Sequence, residues 1–265
     1  MTDFHVVAHE DDWQLFENTD IHQTLAKGRP TLFIFTTAGD AGLDIDFWHA
    51  REEGAKESVR VLLGLGREER FHNMTVTGSS SHSIAVWSYG NTTSYFLRLP
   101  DGNWGGLGFP AYRNQSTKKL HKGHIKTISA VDKSTTYQGW QDIILTLNDI
   151  IHRSCTEFNH LYAPDYDRVL NPGDHSDHSE TGDAVNAILE LSPIFDVTWF
   201  VGEDVVNRPK NLDQNQYALK RRVFMAYNDK VQTLSGHCTI CEAPLTYEAY
   251  LNRAYSRTQM RSSTS

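Results

Sequence analysis

Apolar and polar positions change period along the chain, and this change predicts alternating strands and helices. Residues 4–8 and 31–39 are short apolar runs of the kind that form buried strands. The segments that follow them place apolar residues near helical spacing and end at Gly28 and Gly64, which are plausible helix stops. Strand, helix, strand, helix at this length predicts a parallel sheet with crossover helices.

The middle of the chain has a different pattern. Residues 73–102 contain three strand-like runs separated by glycine, serine and asparagine. Such runs are typical of strands joined by tight turns. They predict an elaborated antiparallel edge on the parallel sheet.

The second half returns to alternating helices and strands. Residues 136–151 carry one apolar stripe and are predicted as a helix. A strand is expected to include Val169 and Leu170, and another to cover residues 197–202. With no internal repeat and no linker, the chain is expected to form one α/β domain.

The length and the composition are consistent with a single soluble domain. Residues 1–255 are expected to form the domain and 256–265 a disordered tail. Of the 265 residues, 39% are hydrophobic, within the range of an ordinary core. The formal net charge is −8, from 33 acidic and 25 basic residues, which argues against nucleic-acid binding.

Membrane and export signals are also missing from the pattern. No run approaches the roughly 20 apolar residues that span a bilayer. The first predicted strand begins too close to Met1 for a secretory signal. We therefore expect a cytoplasmic protein without a membrane span. Three cysteines are too few for a disulfide scaffold.

The first predicted strand ends in His9-Glu10-Asp11-Asp12, a histidine followed by three carboxylates. Like charges at the end of a buried strand repel one another and resist leaving water. A bound cation would offset that cost. If the chain turns into a helix here, the i, i+3 spacing puts His9 and Asp12 on one face. The alternative is that the acids only cap a helix, where they suit its dipole.

A second cluster, His175, Asp177 and His178, also lies between a predicted strand and a predicted helix. Because the carboxyl ends of parallel strands share one edge of a sheet, the two clusters are expected to meet. One imidazole and one carboxylate from the first cluster, with one imidazole from the second, make a ligand set typical of hydrolytic zinc sites. Such a set can also hold iron(II).

At these residues the chain resembles the LmbE/PIG-L family of metal-dependent N-deacetylases. The AHPDD motif of that family is matched by Ala8-His9-Glu10-Asp11-Asp12, and its HPDH motif by His175-Ser176-Asp177-His178. The resemblance covers roughly residues 4–191. It implies a Rossmann-like three-layer sandwich with a mostly parallel sheet and an antiparallel edge.

The resemblance also implies a role for each matched residue. His9, Asp12 and His178 would bind the metal ion, zinc or alternatively iron(II). Asp11 would be the general base. A protonated His175 would stabilise the oxyanion or protonate the leaving amine.

The remaining positions concern orientation and the substrate. The resemblance implies that Asp177 orients His175 and that Arg51 helps to shape the substrate site. Glu10 and Ser176 replace two prolines of the family motifs. Trp13 stands where family members often carry a glutamate, and we expect its ring at the rim, where it could stack on a sugar.

The function expected from these residues is removal of the acetyl group from an N-acetylated amino sugar or glycoconjugate by metal-activated water. The alternatives are an amidase acting on a non-acetyl amide and a non-catalytic carbohydrate-binding protein. The presence of Asp11, His175 and His178 favours catalysis. The chain has neither a G-x-S-x-G elbow nor a complete G-x-G-x-x-G fingerprint.

One further motif is expected to have no role in this chemistry. His237 stands beside the C-x-x-C pair Cys238 and Cys241. A second C-x-x-C, which a zinc site of this type would need, is missing. We predict an ordinary late loop here, with a second metal site as the alternative.

Overall fold

The strands of the protein build one large sheet and one small hairpin. The computed structural model describes residues 1–17, 19–156, 158–191 and 195–260. The strands are β1 (Thr2–Val7), β2 (Thr31–Thr37), β3 (Glu69–Thr77), β4 (Ser81–Tyr89), β5 (Thr92–Leu99), β6 (Thr127–Ser129), β7 (Thr136–Gln138), β8 (Asn159–Pro164), β9 (Asp196–Phe200) and β10 (Ser256–Gln259). The β6 and β7 strands form the separate hairpin.

Helices connect most of these strands. They are α1 (Asp12–Leu15), α2 (Asp20–Ala26), α3 (Ile45–Leu63), α4 (Thr117–His121), α5 (Trp140–Arg153), α6 (Ser176–Leu191), α7 (Gln214–Ser235), α8 (Thr239–Glu242) and α9 (Pro244–Leu251). The longest, α7, begins with a capping box between Asp213 and Gln216 and ends at Gly236, whose positive φ suits a helix stop. Within the described ranges, no helix is both long and apolar enough to cross a membrane.

The large sheet has eight strands in the order β10-β9-β8-β1-β2-β5-β4-β3. Its five central strands, from β9 to β5, are parallel. At one edge β4 and β3 run antiparallel, and β10 is antiparallel at the other. The predicted α/β fold with a mostly parallel sheet is therefore confirmed.

Successive side chains of a strand point to opposite faces of the sheet, and helices cover both faces of its central strands. Val6 and Ile34 face a core built with α5 and α6. Val7 and Phe35 face the opposite core, built with α3 and α7. This arrangement leaves the ends of the strands as the place where loops can form a site.

The strand predicted at Val169 and Leu170 is wrong. These residues lie in a turn in which the Leu170 N–H donates to the Asp167 carbonyl at 3.1 Å, and the Val169 side chain is 85% exposed. The strand in this region is β8, which pairs in parallel with both β1 and β9. Hydrogen bonding to a strand on each side stabilises β8, and this outweighs the apolar character of Val169 and Leu170.

The prediction that residues 256–265 form a disordered tail is corrected for its first part. Ser256–Gln259 forms β10. The Arg257 guanidinium holds the Asp165 carboxylate through two hydrogen bonds of 2.7 and 2.8 Å and lies over the Trp199 ring. These contacts fix the strand at the sheet edge. Residues 261–265 lie outside the described residues.

Candidate metal centre

The candidate site lies beyond the carboxyl ends of the parallel strands, where open α/β sheets bind their ligands. The β1 strand leads to His9, β2 leads to Gly39, and β5 leads to Asp101. The α6 helix brings His178 to the same edge. The residues that follow β1 and β5, together with α1, α3, α6 and α9, line a cavity of about 270 Å³ at this edge.

Three possible ligand atoms converge in this cavity. Nδ1 of His9 lies 3.2 Å from Nε2 of His178 and 3.4 Å from Oδ1 of Asp12. The last two atoms are 3.1 Å apart. Three ligand atoms bound about 2.0–2.2 Å from a tetrahedral zinc ion would stand roughly 3.3–3.6 Å apart. The donor set suits a single divalent metal ion, and the observed separations of 3.1, 3.2 and 3.4 Å are within about 0.2 Å of this spacing.

The charges around these atoms also favour a bound cation. The other Asp12 oxygen accepts the backbone N–H groups of Ala8 and His9 at 2.9 and 2.8 Å, which fixes the carboxylate. Burial alone would raise the pKa of Asp12, but His178 and His9 hold it well below its usual value. Burial alone would lower the pKa of His178, yet Asp12 and Asp174 raise it well above the usual value. The site thus attracts positive charge.

Asp174 orients His178. Its Oδ1 lies 2.9 Å from Nδ1 of His178, so in the neutral ring the proton is on Nδ1 and the lone pair of Nε2 is the one that could bind a metal ion. Asp174 is itself held by the backbone N–H of Glu203 at 3.0 Å and by the side-chain amide of Asn171 at 2.7 Å. Sequence reasoning assigned Asp174 no role, although it begins the D-H-S-D-H run four residues before His178.

Asp174→Asn is expected to weaken metal binding about 10- to 100-fold, because it removes the charge that orients and polarises His178. Titration of the metal-free variant with zinc against a competing chelator measures this change. Glu190→Gln, at an exposed position of the same α6 helix, is the matched control and should bind metal as the parent does. An unchanged affinity in Asp174→Asn would show that this carboxylate does not support a metal ligand.

Asp177 lies closer to His9 than to His175, contrary to the pairing that the resemblance implied. Its Oδ2 is 3.4 Å from Nε2 of His9 and 3.8 Å from Nδ1 of His175. The carboxylate accepts the Gly102 N–H at 2.8 Å and the Thr117 hydroxyl at 3.0 Å. The structure therefore gives Asp177 the position of an outer partner of His9, and its carboxylate makes no hydrogen bond to His175.

His175 is held by backbone instead. Its Nδ1 accepts the Asp177 backbone N–H at 3.2 Å, so in the neutral ring the proton is on Nε2. Burial, followed by the charge of His9, lowers the pKa of His175 to about 4. A neutral imidazole at pH 7 differs from the protonated one that the resemblance implied. Its Nε2–H is a hydrogen-bond donor on the cavity wall.

Arg51 joins Asp11 to Glu10. Its Nη2 donates to Oδ1 of Asp11, and its Nε donates to Oε2 of Glu10 at 3.2 Å. Burial raises the pKa of Glu10 to about 8, and Arg51 acts against that rise. Gly39, at a φ of +52°, packs on this group, and a Cβ there would lie 2.8 Å from the Arg51 guanidinium. Glu10, which replaces a proline of the family motif, thus has a defined partner.

Trp13 is not at the rim. Only 1% of the residue is exposed, and its ring packs on Phe33 with centroids 4.8 Å apart and edge-on against His22. Because β1 passes almost directly into α1, this residue turns back onto the sheet instead of toward solvent. An indole that is exposed beside the site is that of Trp104, which is 54% exposed and meets His175 edge-on at 6.0 Å.

Trp13→Ala is expected to lower the free energy of unfolding by about 3–5 kcal/mol, since it empties a filled core position. Trp104→Ala, the matched change at an exposed indole, should lower it by about 1 kcal/mol or less. Urea unfolding of both metal-free variants compares the two values. Equal losses would contradict the placement of Trp13 in the core and Trp104 at the rim.

Four titratable residues of the cavity wall were missed by sequence reasoning: Asp101, Glu203, Tyr247 and Tyr250. The Asp101 carboxylate lies 3.9 Å from Nε2 of both His9 and His175. Burial raises the pKa of Glu203 to about 7, and its carboxyl accepts the Tyr250 hydroxyl at 3.1 Å. Asp101 and Glu203 each follow a parallel strand, which is a signal that could have found them. The two tyrosines lie on α9, whose sequence carries no such signal.

The C-x-x-C pair is not available for a second metal. Cys238 and Cys241 are joined by a disulfide whose Cα atoms are 5.2 Å apart. The segment that was predicted as a loop contains the short helix α8. His237 packs edge-on against Phe47.

Comparison with known proteins rests on structure alone. No protein-family model and no curated protein sequence matches the chain. Among solved structures, a triple mutant of a deacetylase of the teicoplanin biosynthetic pathway has a TM-score of 0.53 at 14% identity, covering 100% of both chains. A deacetylase of an antimicrobial pseudoaglycone has a TM-score of 0.50 at 12% identity, covering 97% of this chain and 94% of that one.

A third solved structure is the N,N'-diacetylchitobiose deacetylase from Pyrococcus horikoshii. It has a TM-score of 0.47 at 13% identity and covers 97% of this chain and 83% of that one. At these identities the likeness concerns the fold. The resemblance to the LmbE/PIG-L deacetylases, predicted from two short motifs, is confirmed at that level.

Proposed function

We propose that the protein is a metal-dependent hydrolase that removes the N-acetyl group from an amino sugar or glycoconjugate. The observation that carries this proposal is the convergence of His9, Asp12 and His178 within 3.4 Å of one another, beside Asp11, in a 270 Å³ cavity. The shared fold with solved deacetylases supports it. The two helical layers around a mixed sheet support classifying the fold as a Rossmann-like three-layer sandwich.

His9, Asp12 and His178 would hold the metal ion, with zinc as the first candidate and iron(II) as the second. When bound, such an ion lowers the pKa of its water to about 7 and polarises a carbonyl oxygen. Asp174 keeps Nε2 of His178 free for ligation, and Asp177 faces the outer nitrogen of His9.

Asp11 is the proposed general base. Arg51 engages one of its oxygens, which fixes the carboxylate while it still lines the cavity. As water adds to the amide carbon, Asp11 takes the proton that the water loses. The protonated Asp11 then gives this proton to the amine nitrogen as the C–N bond breaks. The products are a free amine and acetic acid, which loses its remaining proton to the amine or to water at neutral pH, and Asp11 ends ionised as it began.

His175 is the proposed oxyanion donor. Because the Asp177 backbone N–H occupies its Nδ1, the Nε2–H is available to the oxygen on which negative charge develops. A neutral donor can perform this task without a change of protonation. Arg51 holds Asp11 in place, and we assign substrate contact first to Asp101, whose carboxylate lies 3.9 Å from Nε2 of His175.

Acetate release tests the proposal. Zinc-loaded protein is incubated with N-acetylglucosamine, N-acetylgalactosamine and N,N'-diacetylchitobiose, and both acetate and free amine are quantified. We expect equal amounts of the two products from at least one compound. Binding of these sugars without any product would instead favour the non-catalytic carbohydrate-binding alternative, and neither binding nor product would contradict the proposed substrate class.

A further inference from the structure

A second and larger cavity adjoins the candidate metal centre. Its volume is about 570 Å³, against about 270 Å³ for the metal cavity. Its walls are mainly apolar and include Trp104, Pro172, Val206, Leu245 and Ala249. We refer to these five residues and the space between them as the apolar groove.

The apolar groove is continuous with the metal cavity. Glu203, Thr246 and Tyr250 line both spaces. Trp104 is fixed at the boundary, since its carbonyl accepts the N–H of Ser176, the first residue of α6, and its ring meets His175 edge-on. A molecule whose amide lies at the metal centre can therefore extend into the groove without leaving the protein surface.

Apolar side chains in the groove remain exposed to water. Leu245 is 87% exposed, Trp104 54% and Val206 36%. Contiguous exposed apolar surface beside a polar cavity is typical of a ligand-binding site. Covering these side chains by an apolar group would release water that they now contact, and each fully buried methylene would raise affinity about fourfold.

The charge of the groove limits what it can bind. Glu203 and Asp204 line it, and neither lysine nor arginine is among its described lining residues. The Asp204 carboxylate pairs with Nε of Arg208 at 3.3 Å, so a phosphate or carboxylate here would meet the Glu203 carboxyl and no lysine or arginine on the described walls. The groove suits an uncharged group.

We propose that the apolar groove binds an uncharged hydrocarbon or aromatic group of the substrate, so that the substrate is an amphiphilic amide with its sugar in the metal cavity. This inference rests on the proposed function. The apolar group can belong to either end of the substrate, as a long acyl chain or as an aglycone on the sugar. Both sources share the same chemistry in the groove.

Two substrate series distinguish these sources. One contains N-acyl glucosamines with acetyl, butanoyl and octanoyl chains, and the other contains methyl, butyl and octyl glycosides of N-acetylglucosamine. Amine release by zinc-loaded protein gives kcat/KM for each compound, below its critical micelle concentration. We expect kcat/KM to rise at least tenfold along one series, which requires only about two fully buried methylenes.

Each outcome has one meaning. A rise in the acyl series supports the inference with the acyl chain in the groove, and a rise in the glycoside series supports it with the aglycone there. Flat or falling values in both series, with acetate still released from N-acetylglucosamine, overturn the inference and leave the deacetylase proposal standing. No amine from any compound contradicts the proposed function, and the inference fails with it.

Two matched leucine variants locate the effect. Leu245→Asp should reduce the octyl preference at least threefold, because it places a charge against the chain. Leu65→Asp is the control, since Leu65 is equally exposed, at 88%, and lies in the turn after α3. An octyl compound with a terminal carboxylate should lose the preference in the parent protein. An octyl preference that survives both Leu245→Asp and the added carboxylate would place the chain elsewhere.

Discussion

Asp11→Asn is expected to lower kcat/KM for acetyl release by about 10²- to 10⁴-fold while metal content stays at that of the parent. The change keeps the shape of the side chain and removes its ability to accept the water proton. Asp11 contacts Arg51 and is outside the group formed by His9, Asp12 and His178. This variant should therefore lose most of its turnover and keep its bound metal.

The measurement pairs steady-state acetate release with elemental analysis of the same sample. Asp46→Asn is the control, because Asp46 is exposed in the first turn of α3, the helix that carries Arg51. It should match the parent in both measurements. Full activity in metal-loaded Asp11→Asn would show that Asp11 is not the general base. Loss of metal from that variant would indicate that Asp11 is a metal ligand instead.

His178→Ala is expected to remove most of the stabilisation that zinc gives to the parent protein. An ion present at 1,000 times its dissociation constant stabilises a folded protein by about 4 kcal/mol. Removing one of three ligands should weaken binding by more than the roughly 100-fold expected for an outer partner such as Asp174. Most of the zinc-dependent rise in melting temperature should then disappear.

Thermal unfolding with and without zinc measures this effect, and each variant is compared with its own metal-free form. That comparison separates lost metal binding from any damage to the fold. His124→Ala, in an exposed polar segment far from the site in sequence, is the control and should keep the full zinc response. An equal zinc response in His178→Ala and the parent would show that the ion binds elsewhere.

The convergence of His9, Asp12 and His178 could be predicted from the sequence because it follows from the order and direction of the strands. His9 and His178 are 169 residues apart, yet each follows a strand of the same parallel sheet, and such strands end at one edge. Trp13 shows the limit of this reasoning. Its side chain is one residue beyond Asp12, and the direction of a single helical turn decides whether it faces the cavity or the core.

The partners of the site residues were harder to predict. Asp177 faces His9 rather than its near neighbour His175, because the Gly102 N–H and the Thr117 hydroxyl pull its carboxylate that way. Those two groups come from other parts of the chain. Tyr250 reaches the cavity only through the packing of α9, which no local pattern reveals.

The most direct test of the central claim is titration of metal-free protein with zinc, following acetate release and bound metal in the same samples. We expect no turnover without metal and a rise in acetate release that reaches its maximum at about one bound equivalent of zinc. Turnover by the metal-free protein, or one equivalent bound with the same affinity after His9 and His178 are both replaced by alanine, would contradict it.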